Sequence, residues 1–212
     1  MDETYNVLGL KFHDPTQVEP IILRETQTLY HTDDWGLNAN NAMLEMGAHT
    51  GALSLYCAKK YGCKVFAYEP SRPSYERLVK NIELNSMRHL VIPYLLAITK
   101  DGRDIRMFEH PRNSGANNIY AAEGELVPSI TLKQAIADVR SFTTLQVLLM
   151  DAEGAEFELL EDLEVVRGIP EFQGEFHKRF GDIDGLLARL KTVLPNAAPA
   201  MQYPRVKKKV RK

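Results

Sequence analysis

Two groups of side chains in this chain have the types and spacing to do chemistry. The first is Glu45, Gly47, Gly51 and Glu69. Gly47-Ala48-His49-Thr50-Gly51 follows a short apolar run and precedes a helical pattern, and Glu69 stands 22 positions after Gly47, at the end of a second apolar run. Glycines let a backbone turn sharply and let a ligand come close. An acid about 20 positions further on is the spacing that grips a ribose diol. The second group is Asp151, Glu153 and Glu156, with Glu175 and His177 after the next apolar run. Carboxylates and an imidazole there could take a proton from a hydroxyl. Alternatively, they could hold a divalent cation that orients and acidifies it. Each residue also has a plainer use. Glu69 can be a solvated acid on an ordinary β-α-β unit, Glu156 and Glu158 can complement a helix dipole, and His177 can be a core or surface imidazole.

The first group narrows the ligand. Nothing completes the G-x-G-x-x-G of a dinucleotide site, and no Walker lysine motif is present. Glu45, just before the glycines, would repel a phosphate and suits a cationic amino-acid end. S-adenosylmethionine has that end, a ribose diol for Glu69 and no phosphate. The residues expected to line its cleft are Glu45, Gly47, Ala48, His49, Gly51, Glu69 and Pro70, with Ala97 and Asp151 at the ends of later strands. Asp151, Glu153 and His177 are the candidates for acceptor activation, and the spacing leaves the identity of any metal open.

These residues need a rigid frame. Ala42 to Met46 predicts a buried strand, and Leu53, Tyr56, Cys57 and Lys60 fall on one helical face behind it. Lys64 to Pro70 predicts a second strand, and Tyr75, Leu78, Val79 and Ile82 a second helix, begun at Ser71 and Pro73 and ended by Asn85. Leu90 to Ile98 is a strand interrupted by Pro93, which points to a sheet edge. Asp101-Gly102 then predicts a hairpin into Ile105 to Phe108. The polar loop from Pro111 to Asn118 is placed by this order near the carboxyl edge of the sheet. A capping box at Thr131 and Gln134 opens a helix to Val139 with Leu132, Ala135 and Ile136 inward. Leu145 to Met150 is an apolar strand, an acidic helix runs from Glu156, and Glu171 to His177 is a strand of alternating polarity. Ile183 to Leu194 is the last helix, with one short strand near Met201 to Tyr203. The order is that of an α/β protein with a mostly parallel, doubly wound sheet and helices on both faces.

The 212 residues suffice for one domain with a full core. Residues 1–40 form a lead-in segment with a helix around Pro20 to Tyr30 and the sole tryptophan, residues 41–203 the domain, and residues 204–212 a basic tail. A net charge of −2 makes no bulk electrostatic case for nucleic acid. Cys57 and Cys63 are expected as reduced thiols in a cytoplasmic protein, and no apolar run reaches membrane-spanning length. Six of the last eight residues are Lys or Arg, which keeps an RNA-directed activity as an alternative, although a terminal charge run is usually a solvated tail.

Four segments resemble the FkbM-type S-adenosylmethionine-dependent methyltransferases. They are Glu45-Met46-Gly47-Ala48-His49-Thr50-Gly51, Ala67-Tyr68-Glu69-Pro70, Asn81-Ile82-Glu83-Leu84-Asn85 and Asp151-Ala152-Glu153-Gly154-Ala155-Glu156, in the family's order. The polar loop Asn113 to Asn118 resembles a fifth. The resemblance spans Ala42 to His177 and implies a Rossmann-like class I methyltransferase fold, with O-methylation of a sugar, a natural product or another small molecule. Three positions depart from the pattern. Glu45 stands for an aspartate, Lys133 for the aspartate after Thr131-Leu132, and Leu149 for a lysine. The last departure keeps a catalytically inactive cofactor-binding module as a further alternative, and it argues against RNA ribose methylation, which commonly uses an active-site lysine.

Overall fold

The computed structural model describes residues 4–13, 30–107, 124–152, 155–176 and 180–194. The chain opens with an antiparallel hairpin, β1 (Thr4–Val7) and β2 (Leu10–His13). Its tip, Leu8-Gly9, has positive φ at both residues, the geometry that a two-residue hairpin turn requires. Leu10 and Phe12 point inward and are fully buried. A 3-10 turn (Thr32–Trp35) then buries Trp35. Its Asp33 pairs with Lys60 at 2.7 Å.

The frame follows as β3 (Asn41–Met46), α1 (Ala52–Tyr61), β4 (Lys64–Tyr68), α2 (Arg72–Leu84) and β5 (Val91–Tyr94). After short strands β6 (Ala97–Thr99), β7 (Ile105–Met107), β8 (Glu125–Val127) and β9 (Ser129–Thr131) come α3 (Leu132–Phe142) and β10 (Thr144–Met150). One helical turn, α4 (Glu156–Leu159), a 3-10 turn (Leu163–Val166), β11 (Glu171–Gly174) and α5 (Ile183–Val193) complete the described chain. Five strands form one parallel sheet in the order β11-β10-β3-β4-β5.

Alternate strand residues feed two cores. Leu44, Met46, Phe66, Leu148 and Met150 pack with α3 and α5. Met43, Val65, Ala67, Val147 and Leu149 pack with α1, α2, the hairpin and Trp35. Helices therefore cover both faces, the expected doubly wound arrangement. Gln146 is an extra residue where the β10–β3 register shifts between Leu145 and Val147, and its side chain donates to the Trp35 carbonyl at 3.0 Å. α3 begins as expected: Thr131 Oγ1 accepts from the Gln134 N–H at 3.2 Å and Gln134 Oε1 from the Thr131 N–H at 2.8 Å.

Several expectations change. The strand expected over Leu90 to Ile98 breaks in two. β5 stays on the sheet edge, where Pro93 needs no partner for the N–H it lacks, and β6 leaves to pair with β9. Asp101-Gly102 makes no hairpin: β7 pairs with β8 instead. α1 is buried almost all round rather than on one stripe. The acidic helix from Glu156 lasts one turn. β11 does not alternate, because Glu171, Phe172 and Gln173 are all buried. The helix expected around Pro20 to Tyr30, apart from Tyr30 itself, the loop Pro111 to Asn118, the strand near Met201 to Tyr203 and the basic tail lie outside the described residues. Among the described residues no helix is long and apolar enough to cross a membrane. Both cysteines are buried free thiols, Cys57 within α1 and Cys63 just after it.

Candidate active site

The carboxyl ends of the parallel strands meet at one edge, and the turn after β3 is built into it. Gly47, His49 and Gly51 all have positive φ, +81°, +51° and +86°. The Gly47 and Ala48 N–H groups both donate to the Tyr68 carbonyl, at 2.9 and 3.1 Å. The His49 N–H donates to Glu69 Oε2 at 2.7 Å, and the Ser71 N–H to Glu69 Oε1 at 2.8 Å. Glu69 is thus a clamp between the turn and the start of α2, with Pro70 between its two anchors. Ser71 caps α2 by accepting the Ser74 N–H.

The two glycines are required first by the protein's own packing. A Cβ on Gly47 would lie 2.0 Å from the Asp151 carbonyl oxygen, and one on Gly51 would lie 2.4 Å from Leu78 Cδ1. The crossing chain at Gly47 is the tip of β10, whose Asp151 N–H donates to the Met46 carbonyl at 3.0 Å. The turn after β3 and the turn after β10 are therefore bolted together through main-chain atoms.

Glu45 sits beneath this turn. It is 3% exposed, and Ser54 Oγ of α1 donates to its Oε2. Burial raises its pKa to about 8, and the nearby Glu69 adds to the shift. In register, its neighbours on the sheet are Ala67 and Leu149. Leu149 brings a buried leucine alongside the acid, where a lysine would have supplied a counter-charge. Ser54 was not among the expected site residues; its signal is a hydroxyl in the first turn of the helix directly behind the acid.

Asp151 stands half-buried at the tip of β10. Glu156 is fully buried and folds back, Oε1 accepting the Ala152 N–H at 3.1 Å, so it shapes the turn that carries Asp151. Glu175 lies just past β11, its N–H on the Met150 carbonyl at 2.9 Å, one strand from Asp151. Glu153 and His177 lie outside the described residues. Ala97 is buried in β6, past the edge strand, and its N–H donates to the Pro128 carbonyl at 3.0 Å. Among the described residues no three His, Cys, Asp or Glu side chains are grouped to hold a metal ion.

A model of the methyltransferase FkbM domain matches residues 45–196. No curated protein matches the chain. The FkbM methyltransferase structure from Methylobacillus flagellatus KT is 16% identical, with a TM-score of 0.53 over 80% of this chain and 42% of that one. The TYW2 structure from P. horikoshii, in complex with MeSAdo, is 22% identical with a TM-score of 0.36, over 46% of this chain and 37% of that one. A putative S-adenosyl-L-methionine-dependent methyltransferase from Methanococcus maripaludis is 14% identical with a TM-score of 0.36, over 85% of this chain and 73% of that one. The chain spans about two-fifths of the length of the first two. The domain match covers most of the sequence and starts at the acid beneath the glycine turn, and on that match the protein belongs to the FkbM methyltransferase family.

Proposed function

We propose that the protein transfers a methyl group from S-adenosyl-L-methionine to a hydroxyl oxygen on a sugar, a natural product or another small molecule. One observation carries the proposal: a left-handed glycine turn clamped to buried Glu69 shares a sheet edge with Asp151 at the neighbouring strand tip. The donor set suits this cofactor. Glu69, a buried carboxylate held beside the glycine turn, would accept the ribose hydroxyls. Gly47, Ala48, His49 and Gly51 would line it, with Pro70 and Ala97 toward the base, while Glu45 supports the turn from below.

When bound, the cofactor supplies an electrophilic methyl group on a cationic sulfur. The chain's own residues do the rest. The turn and strand tips hold the two reactants in line, which is most of the catalytic work in such a displacement. Asp151 accepts the proton that the acceptor hydroxyl gives up, with Glu153 and His177 as further candidates. A divalent cation held by the same acids would do this by acidifying the hydroxyl.

Asp151→Asn separates these roles because it keeps size and removes charge. Turnover should fall by roughly 10²–10⁴-fold, with affinity for S-adenosylhomocysteine nearly intact. Loss of activity on chelation, restored by added divalent ion, would assign the cation; indifference to chelator would assign a direct base. Full turnover in both Asp151→Asn and Glu153→Gln would remove these acids from the chemistry.

A further inference from the structure

Asn81, on α2, is fully buried, and its side chain joins two segments far from it in sequence. Its Nδ2 donates to the Thr50 carbonyl at 2.9 Å, 31 residues away. Its Oδ1 accepts the His13 N–H at 2.7 Å, 68 residues away. The amide orientation is forced, since one main-chain partner is a carbonyl and the other an N–H. One helical turn on, Asn85 repeats the device. Its Oδ1 accepts the Lys11 N–H at 2.9 Å and its Nδ2 donates to the Lys11 carbonyl at 2.7 Å. Asn81 and Asn85, the latter capping the end of α2, present β2 with the rungs that another strand would supply.

Thr50 is the fully buried fourth residue of the glycine turn. Beside it, His49 holds a φ of +51°, a conformation that a non-glycine residue keeps only when its surroundings impose it. Glu69 holds the His49 N–H, and Asn81 holds the Thr50 carbonyl. The second reaches beyond the sheet edge, to the N-terminal hairpin.

We infer that Asn81 is a positioning residue for the glycine turn, and that docking of residues 10–13 on α2 and ligand occupancy of the turn favour one another through it. The inference rests on the turn being the cofactor's. By linkage the coupling is reciprocal: a ligand that tightens the turn must also tighten the hairpin.

Amide hydrogen exchange and S-adenosylhomocysteine binding, both measured on the full chain, test it. Asn81→Asp keeps the acceptor facing His13 but turns an oxygen toward the Thr50 carbonyl. It should speed exchange at His49 and Gly51 roughly tenfold, leave β10 unchanged and weaken binding by a similar factor. Asn85→Ala frees Lys11 and leaves Asn81 in place, so it serves if Asn81→Asp does not fold; the turn amides should shift in the same direction by less. Val193→Ala, in the core across the sheet, lowers stability away from the turn and should move neither measurement. In the parent, S-adenosylhomocysteine should slow exchange at Lys11 and His13, and Asn81→Asp should abolish that effect. Turn amides exchanging at the parent rate in folded Asn81→Asp would overturn the positioning role; parent rates in Asn85→Ala would overturn the link to the hairpin. A parent that takes up no S-adenosylhomocysteine would overturn the proposed cofactor, and the exchange rates would still decide the role of Asn81.

Discussion

Glu45, on β3, and Glu69, just past β4, stand at one sheet edge, both almost fully buried, and the protein satisfies them in opposite ways. Glu69 accepts main-chain N–H groups at both oxygens, donors that cannot turn away. Glu45 receives the Ser54 hydroxyl, a group that can donate or accept. Fixed donors favour a charged carboxylate, whereas a single rotatable hydroxyl in an apolar setting suits a neutral acid. The contrast divides the labour: Glu69 ties the turn together at the surface of the cleft, and Glu45 fills the space beneath it.

Gly47 lies between the two acids, and replacing it should have the largest effect. In Gly47→Ala the new methyl meets the Asp151 carbonyl, and neither main chain can yield without breaking the bond from Asp151 to Met46. The loss should be on the order of 4 kcal/mol in denaturant unfolding. A midpoint near the parent's would show that the β10 tip can move and that the two turns are not bolted.

Glu45→Gln comes next, because it keeps the shape and the partner for Ser54 while removing the titration. The folded-state pKa of about 8 lies above the ordinary 4.5, so the folded chain binds the extra proton between these values. The group's contribution to stability is complete below about pH 4.5 and is lost as pH rises to about 8. Relative to Glu45→Gln, the parent should lose up to about 1.4 kcal/mol per pH unit across this window. Parallel stability curves for the two proteins would mean that Glu45 is charged.

The same exchange at Glu69 should act in reverse. Glu69→Gln turns an amide N–H₂ toward one of two N–H donors, and unfolding should become easier by about 1–3 kcal/mol. S-adenosylhomocysteine affinity should fall with it. If Glu69→Gln and Glu45→Gln behave alike, the contrast between the two acids is wrong.

Tyr68 extends the series to a polar group with no partner among the described residues. Its ring stacks on Tyr94 with centroids 4.6 Å apart, and its buried hydroxyl meets no hydrogen-bond partner there. Tyr68→Phe should be neutral or stabilising, by at most about 1 kcal/mol. A clear loss in a thermal melt would reveal a partner for the hydroxyl.

Much of the frame is local in origin and was therefore legible. The capping box at Thr131 and Gln134 involves residues three apart, and its geometry appears as expected. The apolar periods of α2, α3 and α5 likewise lie within single segments. Within the lead-in segment the N-terminal hairpin carries a readable signal of its own, a glycine at its tip and Leu10 and Phe12 alternating with Lys11 and His13. The pairing of β7 with β8 had no such signal, because the partners are separated by a long polar stretch.

For the site, the sequence alone determined the order of strand, glycine turn, helix and acid. Those features follow from backbone dihedrals and apolar periods set by near neighbours. Tertiary structure decided why the glycines are needed, since the atoms they avoid belong to Asp151 and Leu78. It also decided that Glu45 is buried against Ser54, and that Asn81 spends its side chain on Thr50 and His13. Clashes, burial and hydrogen-bond partners depend on which distant segments meet. The sheet brings Met46, Tyr68 and Met150 to one edge, and only there do residues from across the chain become each other's surroundings.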